Sequence, residues 1–422
     1  MHPSRECGLL PYMLDINFIR QNPQKVKEGA QKKGVKVDID LFLEVDKKKR
    51  GLLQKIEALR AEQNKLSREE IERAQKVKSE IKGLEPQLEK AEKELSSLIL
   101  QVPNMPLDEV PVGRDERDNV VLRKVGKLPK FAFKPKDYLQ VAEELDLIDV
   151  KRAAKISGSR FGILKREAAL LEFALVNFAF ETLLKEKFIP VIPPVMLKEE
   201  AAQGTGYFEA TDRDEAYFLP KDNLFLAGTS EQSIITMHED DILEEKKLPM
   251  RYVGFSTCFR REAGSYGKDT KGIFRVHQFD KVEMVSFCKP EDSRKEHRFL
   301  LKIQEKLMKP LKIPYQVVEM CTAELGRPAA QKYDIEAWLP SENRYRETHS
   351  ASNCTDFQAR RLNIRYKDKS GKLNFVHTLN GTAFAIGRTL IMLIENLQQR
   401  DGSVSIPPVL QKYTKFKKTT LR

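Results

Sequence analysis

The chain has 422 residues, of which 41% are hydrophobic and 32% are charged, and its formal net charge is +12. This length exceeds that of a typical single domain and predicts two domains, each with a core of its own. No apolar run approaches the roughly 18 residues of a membrane span, so we expect no transmembrane segment. The positive charge is typical of proteins with polyanionic partners, although charge alone identifies none.

The first twelve residues, MHPSRECGLLPY, have neither the apolar core nor the small-residue cleavage site of a secretory signal. We interpret them as an extension or an incorrectly assigned start, and we expect a cytoplasmic protein. The five cysteines agree with that expectation, because they are odd in number, widely spaced and without a Cys-x-x-Cys pair. Buried, reduced thiols are predicted.

Residues 41–100 carry the pattern of two long amphipathic helices, because apolar residues recur there at intervals of three and four. The residues predicted to be buried are Leu41, Val45, Leu52, Ile56, Leu59 and Leu66 in the first helix and Ile71, Ala74, Ile81, Leu84, Leu88, Ala91, Leu95 and Leu98 in the second. Ser67 and Glu70 form a capping-box pattern, which predicts a break followed by a new helix. We therefore expect an antiparallel coiled-coil hairpin.

The charges of this hairpin are nearly balanced, with 14 basic and 12 acidic residues between positions 41 and 100. Most are interpreted as solvated helix faces, so any nucleic acid would be bound through shape and a few placed contacts. The prolines of QVPNMPLDEVPVG then indicate a linker. The predicted organisation is an extension at 1–12, an N-terminal helical-hairpin domain at 13–102, a linker at 103–118 and a second domain at 119–422.

Beyond the linker, short strand-like runs are mixed with helical stretches. Residues 315–320 and 374–378 are predicted strands, and residues 166–187 and 389–398 are predicted helices. The mixture predicts an α+β fold in which an antiparallel sheet is flanked by helices. The basic end of the chain, QKYTKFKKTTLR, is predicted to be a frayed and solvated terminus, with contact to RNA as the alternative.

The most informative stretch is FRREAGSYGKDTKGIFRVHQF, at residues 259–279. It places arginines and a glutamate on strand-like flanks around a charged loop that contains glycines. Arginine offers a planar donor fork to phosphate, and glycine lets a backbone approach a nucleotide closely. The pattern therefore indicates a nucleotide site, whereas an arginine pair alone is more often a surface salt-bridge partner.

This stretch resembles motif 2 of the class II aminoacyl-tRNA synthetases, in the form found in bacterial-type seryl-tRNA synthetases. Other segments agree with that family in order, namely MLDINFIRQNP, FIPVIPPVML, AGTSEQS, DKVEMVSF, ETHSASNCTDFQARR and HTLNGTAFAIGRTLIMLIENLQ. The resemblance covers nearly the whole chain. It implies a class II fold, ATP and L-serine as substrates, Mg²⁺ as cofactor, and transfer of serine to tRNA through seryl-adenylate.

The resemblance also implies roles in ATP binding. Arg260 would hold the α-phosphate, Glu262 the adenine amino group, and Arg275 the outer phosphates. Phe279 and Arg388 would cover the two faces of adenine. The implied catalytic residues are Arg260, Arg275 and Arg388. The full implied ATP-binding set is Arg260, Arg261, Glu262, Val276, His277, Gln278, Phe279, Glu347, Thr348, His349, Ser350 and Arg388.

Glu347 and Ser350 match the family's Mg²⁺-binding pair, whose carboxylate and hydroxyl oxygens suit a hard cation beside phosphates. His349 stands where relatives usually have a small residue, and we expect its imidazole to be structural and to point away from the metal. The implied serine-binding residues are Thr229, Ser230, Glu231, Arg260, Glu283, Asn380 and Thr382.

Within the serine-binding set, Glu231 would bind the ammonium group, while Glu283 and Thr382 would read the hydroxyl. Taken singly, these residues also have ordinary structural interpretations: Glu231 could be a surface acid, Thr229 a helix cap, and Thr382 a turn residue. Their ordered occurrence favours the binding roles.

The resemblance further implies a homodimer with FIPVIPPVML at its interface, and a hairpin that grips the long variable arm of serine tRNA. Selenocysteine tRNA would be a second substrate if the organism has one. Two alternatives stay open: a ligase that loads an amino acid onto a carrier protein, and a coiled-coil RNA-binding protein that keeps only the fold. The loop at residues 209–214 departs from the family, because relatives usually have a longer lysine-containing loop there.

Overall fold

The computed structural model describes residues 15–67, 70–207, 216–263, 269 and 271–419. The predicted extension and the shortened loop at 209–214 lie outside these residues. The chain divides into two compact units between Met105 and Pro106. None of the helices in the described ranges combines the length and the apolar character that a bilayer crossing requires.

The first unit is helical. Its described helices are α1 Ile16–Gln21, α2 Pro23–Lys32, α3 Ile39–Gln63 and α4 Ile71–Leu100. The side chains of Asp15 and Asp38 accept backbone N–H bonds at the starts of α1 and α3, where a helix leaves such donors without partners. The main apolar cluster of this unit consists of Ile16, Ile19, Val26, Ile39, Phe42, Val45, Leu95, Leu98, Ile99 and Val102.

Helices α3 and α4 form the predicted antiparallel hairpin. Ion pairs join Lys49 to Glu92 and Arg60 to Glu85, so residues later in α3 lie beside residues earlier in α4. The apolar seam farther along the two helices consists of Ile56, Leu59, Leu66, Val77, Ile81, Leu84 and Leu88. Burial of this seam stabilises the hairpin, because neither helix alone could bury its apolar face.

Two details of the predicted hairpin are wrong. Leu41 and Ile71 are 37% and 61% exposed, and Phe42, beside Leu41, is fully buried instead. The second helix begins at Ile71 with Glu70 as its N-cap and without a side-chain cap bond, so only one half of the predicted capping box is present. That half is formed by the Glu70 carboxylate, which accepts the backbone N–H of Ser67 at 2.9 Å and also its hydroxyl at 3.0 Å, and thereby closes the turn.

The second unit contains the strands β1 Val120–Val125, β2 Ile148–Asp149, β3 Ile163–Leu164, β4 Ile189–Val191, β5 Met196–Lys198, β6 Phe218–Leu219, β7 Leu224–Leu226, β8 Ile242–Glu244, β9 Met250–Phe259, β10 Gln278–Cys288, β11 Tyr315–Glu319, β12 Gln331–Leu339, β13 Arg344–Asn353, β14 Arg365–Lys367, β15 Leu373–Phe375 and β16 His377–Ala385. Eight of them form the main sheet, in the order β1-β11-β12-β13-β16-β10-β9-β4. Its pairs are antiparallel except for β4 with β9.

The helices of this unit are α5 Tyr138–Glu144, α6 Val150–Ser157, α7 Arg166–Lys185, α8 Glu199–Gly204, α9 Ser230–Thr236, α10 Ser293–Met308, α11 Phe357–Arg361, α12 Ile386–Asn396 and α13 Pro408–Thr414. Smaller sheets pair β2 with β3, place β7 between β5 and β6, and place β14 between β15 and β8. The predicted α+β fold with an antiparallel sheet flanked by helices is confirmed.

Alternate residues of β10 face opposite sides of the main sheet. Val282 and Met284 belong to the large core that includes buried residues of α7, α10 and α12. Val285 and Phe287 belong to a second cluster with residues of α9 and α11. Glu283 shares this second face, and so the short helices α9 and α11 cover the side of the sheet on which polar groups gather.

The predicted strand at 315–320 corresponds to β11, and the predicted helices correspond to α7 and α12. The run at 374–378 is divided between β15 and β16, which belong to different sheets. The prediction of a frayed terminus is wrong as far as Thr419, which is buried and whose hydroxyl accepts the Val404 N–H at 2.8 Å. The four described cysteines are free and buried, as predicted: Cys258, Cys288, Cys321 and Cys354.

Candidate active site

A cleft on the polar face of the main sheet gathers most of the implied ATP-binding residues. The turn after β9 and the start of β10 form one wall, while β13 and the start of α12 form another. The side chains that line the cleft include Arg260, Glu262, Phe274, Arg275, Val276, Phe279, Lys281, Glu347, Thr348, Ser350, Thr382 and Arg388. The cleft therefore combines arginines, carboxylates and aromatic rings, the groups that a nucleotide site requires.

The arginines of the cleft pair with acids of the same site. Arg275 Nη1 lies 2.7 Å from Glu262 Oε2, and Arg388 Nη1 lies 3.2 Å from Glu347 Oε2. Arg260 is held differently, since its Nε donates to the Gly228 carbonyl at 3.2 Å. Phosphate oxygens that bind Arg275 or Arg388 would therefore compete with a carboxylate already bound there.

Aromatic rings lie beneath these guanidinium groups. The Arg260 guanidinium lies 5.4 Å from the centre of the Phe279 ring, and that of Arg388 lies 4.9 Å from the centre of Phe274. A cation over a ring face is attracted by the ring quadrupole, and the same surfaces suit a flat purine. The implied sandwich partners, Phe279 and Arg388, both line the cleft.

Four residues of the implied ATP-binding set do not line the cleft. His277 Nδ1 lies 3.0 Å from the Arg260 carbonyl oxygen, so this imidazole braces the backbone that carries a cleft arginine. The Arg261 guanidinium lies 5.8 Å from the centre of the Tyr217 ring. Gln278 faces a neighbouring depression, formed in part by α6 and β3. The fourth residue, His349, is buried on the other side of β13.

The His349 imidazole is 1% exposed and meets the Phe384 ring edge-on, with 5.7 Å between ring centres. Burial lowers the pKa of His349 to about 4, so the ring is neutral at physiological pH. Its Nδ1 lies 2.8 Å from the Thr348 hydroxyl. This position is consistent with the structural role that we expected of His349.

Glu347 and Ser350 both line the cleft, as a shared metal site would require. Desolvation opposes ionisation of Glu347, but the charges of Arg388 and Lys332 outweigh it and lower the pKa of Glu347 to about 2. Among the described residues, no group of three or more His, Cys, Asp or Glu side chains forms a metal cage. An ionised carboxylate with one hydroxyl fits Mg²⁺, which usually takes its other ligands from water and phosphate.

A cluster of buried polar side chains, which we call the pocket, is centred on Glu231 in the first turn of α9 and reaches the cleft at Lys281 and Thr382. The Oε2 atom of Glu231 accepts the Tyr207 hydroxyl at 2.6 Å, and Oε1 accepts the side-chain amides of Gln358 and Asn380 at 2.8 and 2.9 Å. The Thr229 hydroxyl caps α9 by accepting the Glu231 N–H at 3.3 Å. A carboxylate held by three neutral donors is ready to receive a cation.

The electrostatics of this pocket favour a cationic ligand. Burial, followed by the negative charge of Glu283, raises the pKa of Glu231 to about 7. Burial and the charge of Glu231 raise the pKa of Tyr207 well above its usual range, so its phenol stays a donor. A bound ammonium group would remove the cost of ionising Glu231.

A second buried carboxylate, Glu283, lies beside the first. Its Oε2 accepts the Thr229 hydroxyl at 3.3 Å and forms an ion pair with Lys281 Nζ. Thr382 stands directly opposite Glu283 on β16. The implied serine-binding residues Thr229, Ser230, Glu231, Glu283, Asn380 and Thr382 are all buried here, and Arg260 borders the cleft.

Sequence analysis missed three residues of this pocket: Tyr207, Lys281 and Gln358. Lys281 precedes Glu283 by two positions in DKVEMVSF, and that spacing on a strand places both side chains on one face. Gln358 lies on α11, within the segment ETHSASNCTDFQARR. Neither Gln358 nor Tyr207 carries a local signal for this site, because their contacts with Glu231 span 127 and 24 residues.

Two family models match the chain. The seryl-tRNA synthetase N-terminal domain matches residues 13–106, and the tRNA synthetase class II core domain (G, H, P, S and T) matches residues 217–397. The serine–tRNA ligase of Dictyoglomus turgidum is 43% identical over 415 residues, which cover 95% of this chain and 98% of the relative. That of Thermodesulfovibrio yellowstonii is 43% identical over 420 residues, with coverage of 95% and 98%.

Solved structures give the same result. The crystal structure of seryl-tRNA synthetase from Pyrococcus horikoshii complexed with ATP has a TM-score of 0.91 and 40% identity, and the match covers 97% of this chain and 100% of that one. The cytoplasmic serine-tRNA ligase from Naegleria fowleri in complex with AMP has a TM-score of 0.87 and 32% identity, with coverage of 97% and 99%. The chain belongs to the seryl-tRNA synthetase family of class II aminoacyl-tRNA synthetases.

Proposed function

We propose that this protein activates L-serine with ATP, releasing pyrophosphate, and transfers the serine to the 3′ end of serine tRNA. The observation that carries the proposal is the adjacency of the arginine-lined cleft and the buried pocket of Glu231 and Glu283. The cleft suits a nucleotide, whereas the pocket suits a small ligand with an ammonium group and a hydroxyl. Membership of the seryl-tRNA synthetase family supports the same reaction.

In the first step, a serine carboxylate oxygen forms a bond to the α-phosphorus of ATP while the bond to the leaving pyrophosphate oxygen breaks. The protein supplies no nucleophile. Arg260 would stabilise charge on the α-phosphate, and Arg275 would bind the outer phosphates after leaving Glu262. Glu347 and Ser350 would hold Mg²⁺, which supplies positive charge against the phosphates.

Serine would be recognised through both of its polar ends. The Glu231 carboxylate would bind the α-ammonium group, because three neutral donors fix it without cancelling its charge. Glu283 and Thr382 would bind the side-chain hydroxyl. Alanine and glycine would not supply the hydroxyl that these two buried polar groups bind, which is the strongest basis for rejecting a smaller analogue.

In the second step, a hydroxyl of the terminal tRNA ribose attacks the carbonyl carbon of seryl-adenylate, and AMP leaves. The hairpin, within residues 13–102, would bind the long variable arm of the tRNA by shape and backbone contacts, in keeping with its nearly balanced charge. Selenocysteine tRNA is a further candidate substrate. The activity belongs to the compartment of translation, the cytoplasm.

A homodimer is part of the proposal. Large apolar side chains are exposed on α7 and on the segment FIPVIPPVML, where the family resemblance puts the dimer interface. They include Leu170 at 52%, Phe173 at 63% and Ile192 at 82% exposure. Such a concentration of apolar surface is typical of a face that is covered in the assembled protein.

Charging of purified serine tRNA tests the complete proposal. We expect wild-type protein to charge this tRNA and to lose most of the activity when the variable arm is removed. Val77→Asp, which puts a charge into the fully buried seam of the hairpin, should lower kcat/KM for tRNA by about tenfold or more while serine-dependent pyrophosphate exchange persists. Ile71→Asp, at a position 61% exposed on the same helix, is the matched control.

The alternatives give different results in this assay. Serine-dependent exchange without tRNA charging would favour a ligase that loads a carrier protein. Absence of exchange would favour an RNA-binding relative that keeps only the fold. The described hairpin argues against the first alternative. The arginines, Phe279 and Glu347, which all line the cleft, argue against the second.

A further inference from the structure

The two buried carboxylates of the serine pocket are neutralised to different extents. Glu231 and Glu283 are each 1% exposed, so each needs compensation for its lost hydration. Glu283 has a buried cation beside it, Lys281, which is itself 7% exposed. The hydrogen-bond partners of the Glu231 carboxylate in the described part of the chain are neutral: a phenol and two amides.

We propose that Lys281 is a positioning residue that sets the charge of the serine pocket. By neutralising Glu283, it leaves one uncompensated carboxylate, Glu231. The pocket then accepts one ammonium group and one neutral hydroxyl rather than two ammonium groups. This inference rests on the proposed function, because it concerns how serine is distinguished from amino acids with a cationic side chain.

The strand geometry fixes the Lys281–Glu283 pair. The two residues are two positions apart on β10, so their side chains share the polar face of the sheet. Opposite them, the register shifts between Val282 and Glu283, which puts Thr382 across from Glu283 and the small Ala385 across from Lys281. Lys281 therefore reaches the cleft lining and also contacts the carboxylate that would read the hydroxyl.

This pairing changes what Glu283 can bind. Lys281 Nζ pairs with Glu283 Oε2 and neutralises the negative charge that a second ammonium group of a ligand would need. The Glu283 oxygens keep lone pairs that can accept a hydrogen bond from a hydroxyl, as Oε2 does from the Thr229 hydroxyl. The positive charge of Lys281 also acts on Glu231, whose pKa it lowers against the effect of burial. Lys281 thus favours both binding events without touching the reacting atoms.

The discriminating ligand is 2,3-diaminopropionate, which has the size of serine but carries an amino group in place of the hydroxyl. When that group is protonated, it would face the Lys281 ammonium and be repelled. We expect wild-type protein to use serine in preference to diaminopropionate by on the order of 10²-fold in kcat/KM or more. Alanine would not be repelled by Lys281, because alanine lacks the hydroxyl but carries no second ammonium group.

Lys281→Met tests the inference through pyrophosphate exchange with serine and with diaminopropionate, below the pKa of the latter's side-chain amine. We expect KM for serine to rise by about 10²-fold, KM for ATP to stay within about threefold, and discrimination against diaminopropionate to fall by about tenfold or more. Lys281→Arg keeps the charge and should keep the discrimination. Lys289→Met, which alters an ion-paired lysine just after β10, is the matched control.

If Lys281→Met does not fold, Lys281→Gln carries the same expectation, because an amide can donate to Glu283 without supplying a charge. Unchanged serine KM and unchanged discrimination in the folded neutral variant would overturn the inference. Failure of wild-type protein to show any serine-dependent exchange would instead overturn the proposed function, so the two failures are distinguishable.

Discussion

The nucleotide cleft and the serine pocket differ in how their charged groups are satisfied. In the cleft, Arg275 and Arg388 hold the carboxylates of Glu262 and Glu347 at salt-bridge distance. In the pocket, neutral donors fix Glu231 in place and leave its charge uncompensated. ATP binding would therefore require an exchange of partners, whereas serine would enter a site whose hydrogen bonds are already formed.

This difference shows two ways in which charged side chains can be held before a ligand binds. Ion pairs that are partly open to solvent are weak and easily exchanged, which suits a large polyanion that brings its own charge. A buried carboxylate without a cation is costly, and that cost is recovered only by a ligand of the right charge. Specificity for the small substrate is therefore expected to come from the pocket and not from the cleft.

The largest effect is expected from Arg260, which borders both sites. Arg260→Gln should reduce kcat for pyrophosphate exchange by about 10²- to 10³-fold, because it removes positive charge from the α-phosphate in the transition state. The change in kcat is measured from initial exchange rates at saturating serine and ATP. Arg294→Gln, which alters an exposed ion pair with Glu109, is the control. A loss of activity below about fivefold would show that Arg260 does not stabilise the transition state.

Glu231→Gln tests whether the pocket and the cleft bind their substrates independently. We expect KM for serine to rise by about 10²-fold, since the ammonium group loses its counter-charge and the new amide would face three donors. KM for ATP should change by less than about threefold. Exchange kinetics with each substrate varied in turn give both constants, and a parallel rise in both would mean that the two sites are not independent.

The pH dependence of serine binding follows from the raised pKa of Glu231, about 7. Below that value the free protein has a protonated Glu231, so KM for serine should rise by about tenfold between about pH 8 and about pH 6. In the unfolded chain the Glu231 carboxyl has a pKa of about 4.3, so ionising it in the folded protein lowers the free energy of unfolding as pH rises from about 4.3 through about 7. Bound serine removes that loss of stability. Serine should therefore raise the melting temperature more at the higher pH, and thermal melts with and without serine check this.

The smallest effect concerns one neutral donor. Tyr207→Phe removes the 2.6 Å hydrogen bond to Glu231 but keeps the ring. KM for serine should rise by about five- to tenfold, the usual net contribution of one hydrogen bond. Tyr217→Phe, whose ring lies near Arg261, is a matched aromatic control. Equal kinetics for Tyr207→Phe and wild type would show that this donor does not position the carboxylate.

Much of the fold could be predicted from the sequence, because its signals are periodic. The hairpin follows from apolar spacing, and the mixed fold follows from alternating strand-like and helical runs. The errors occur where tertiary contacts decide. Leu41 fits the helical period, yet Phe42 is the residue that the contacts with the rest of its unit bury. Glu70 makes the capping-box bond to the Ser67 N–H, yet the helix begins only at Ile71, with Glu70 rather than Ser67 as its N-cap.

The candidate site was predictable only as far as its motifs extend. Resemblance in β10, β13 and β16 led to residues that do line the cleft or the pocket. Gln358 and Tyr207 join the pocket through long-range contacts, and no spacing in the sequence reveals which side chains will meet across the fold. His349 lies within a motif, yet strand alternation and packing against Phe384 take it away from the cleft.

The most direct test of this account is pyrophosphate exchange by the wild-type protein with serine, threonine, alanine and glycine as separate substrates. We predict exchange with serine at a kcat/KM that exceeds those of alanine and glycine by about 10³-fold or more, because the pocket binds with buried polar groups the hydroxyl that these two amino acids lack. Comparable exchange with alanine, or no exchange with serine, would contradict the assignment of Glu231, Glu283 and Thr382 to serine recognition.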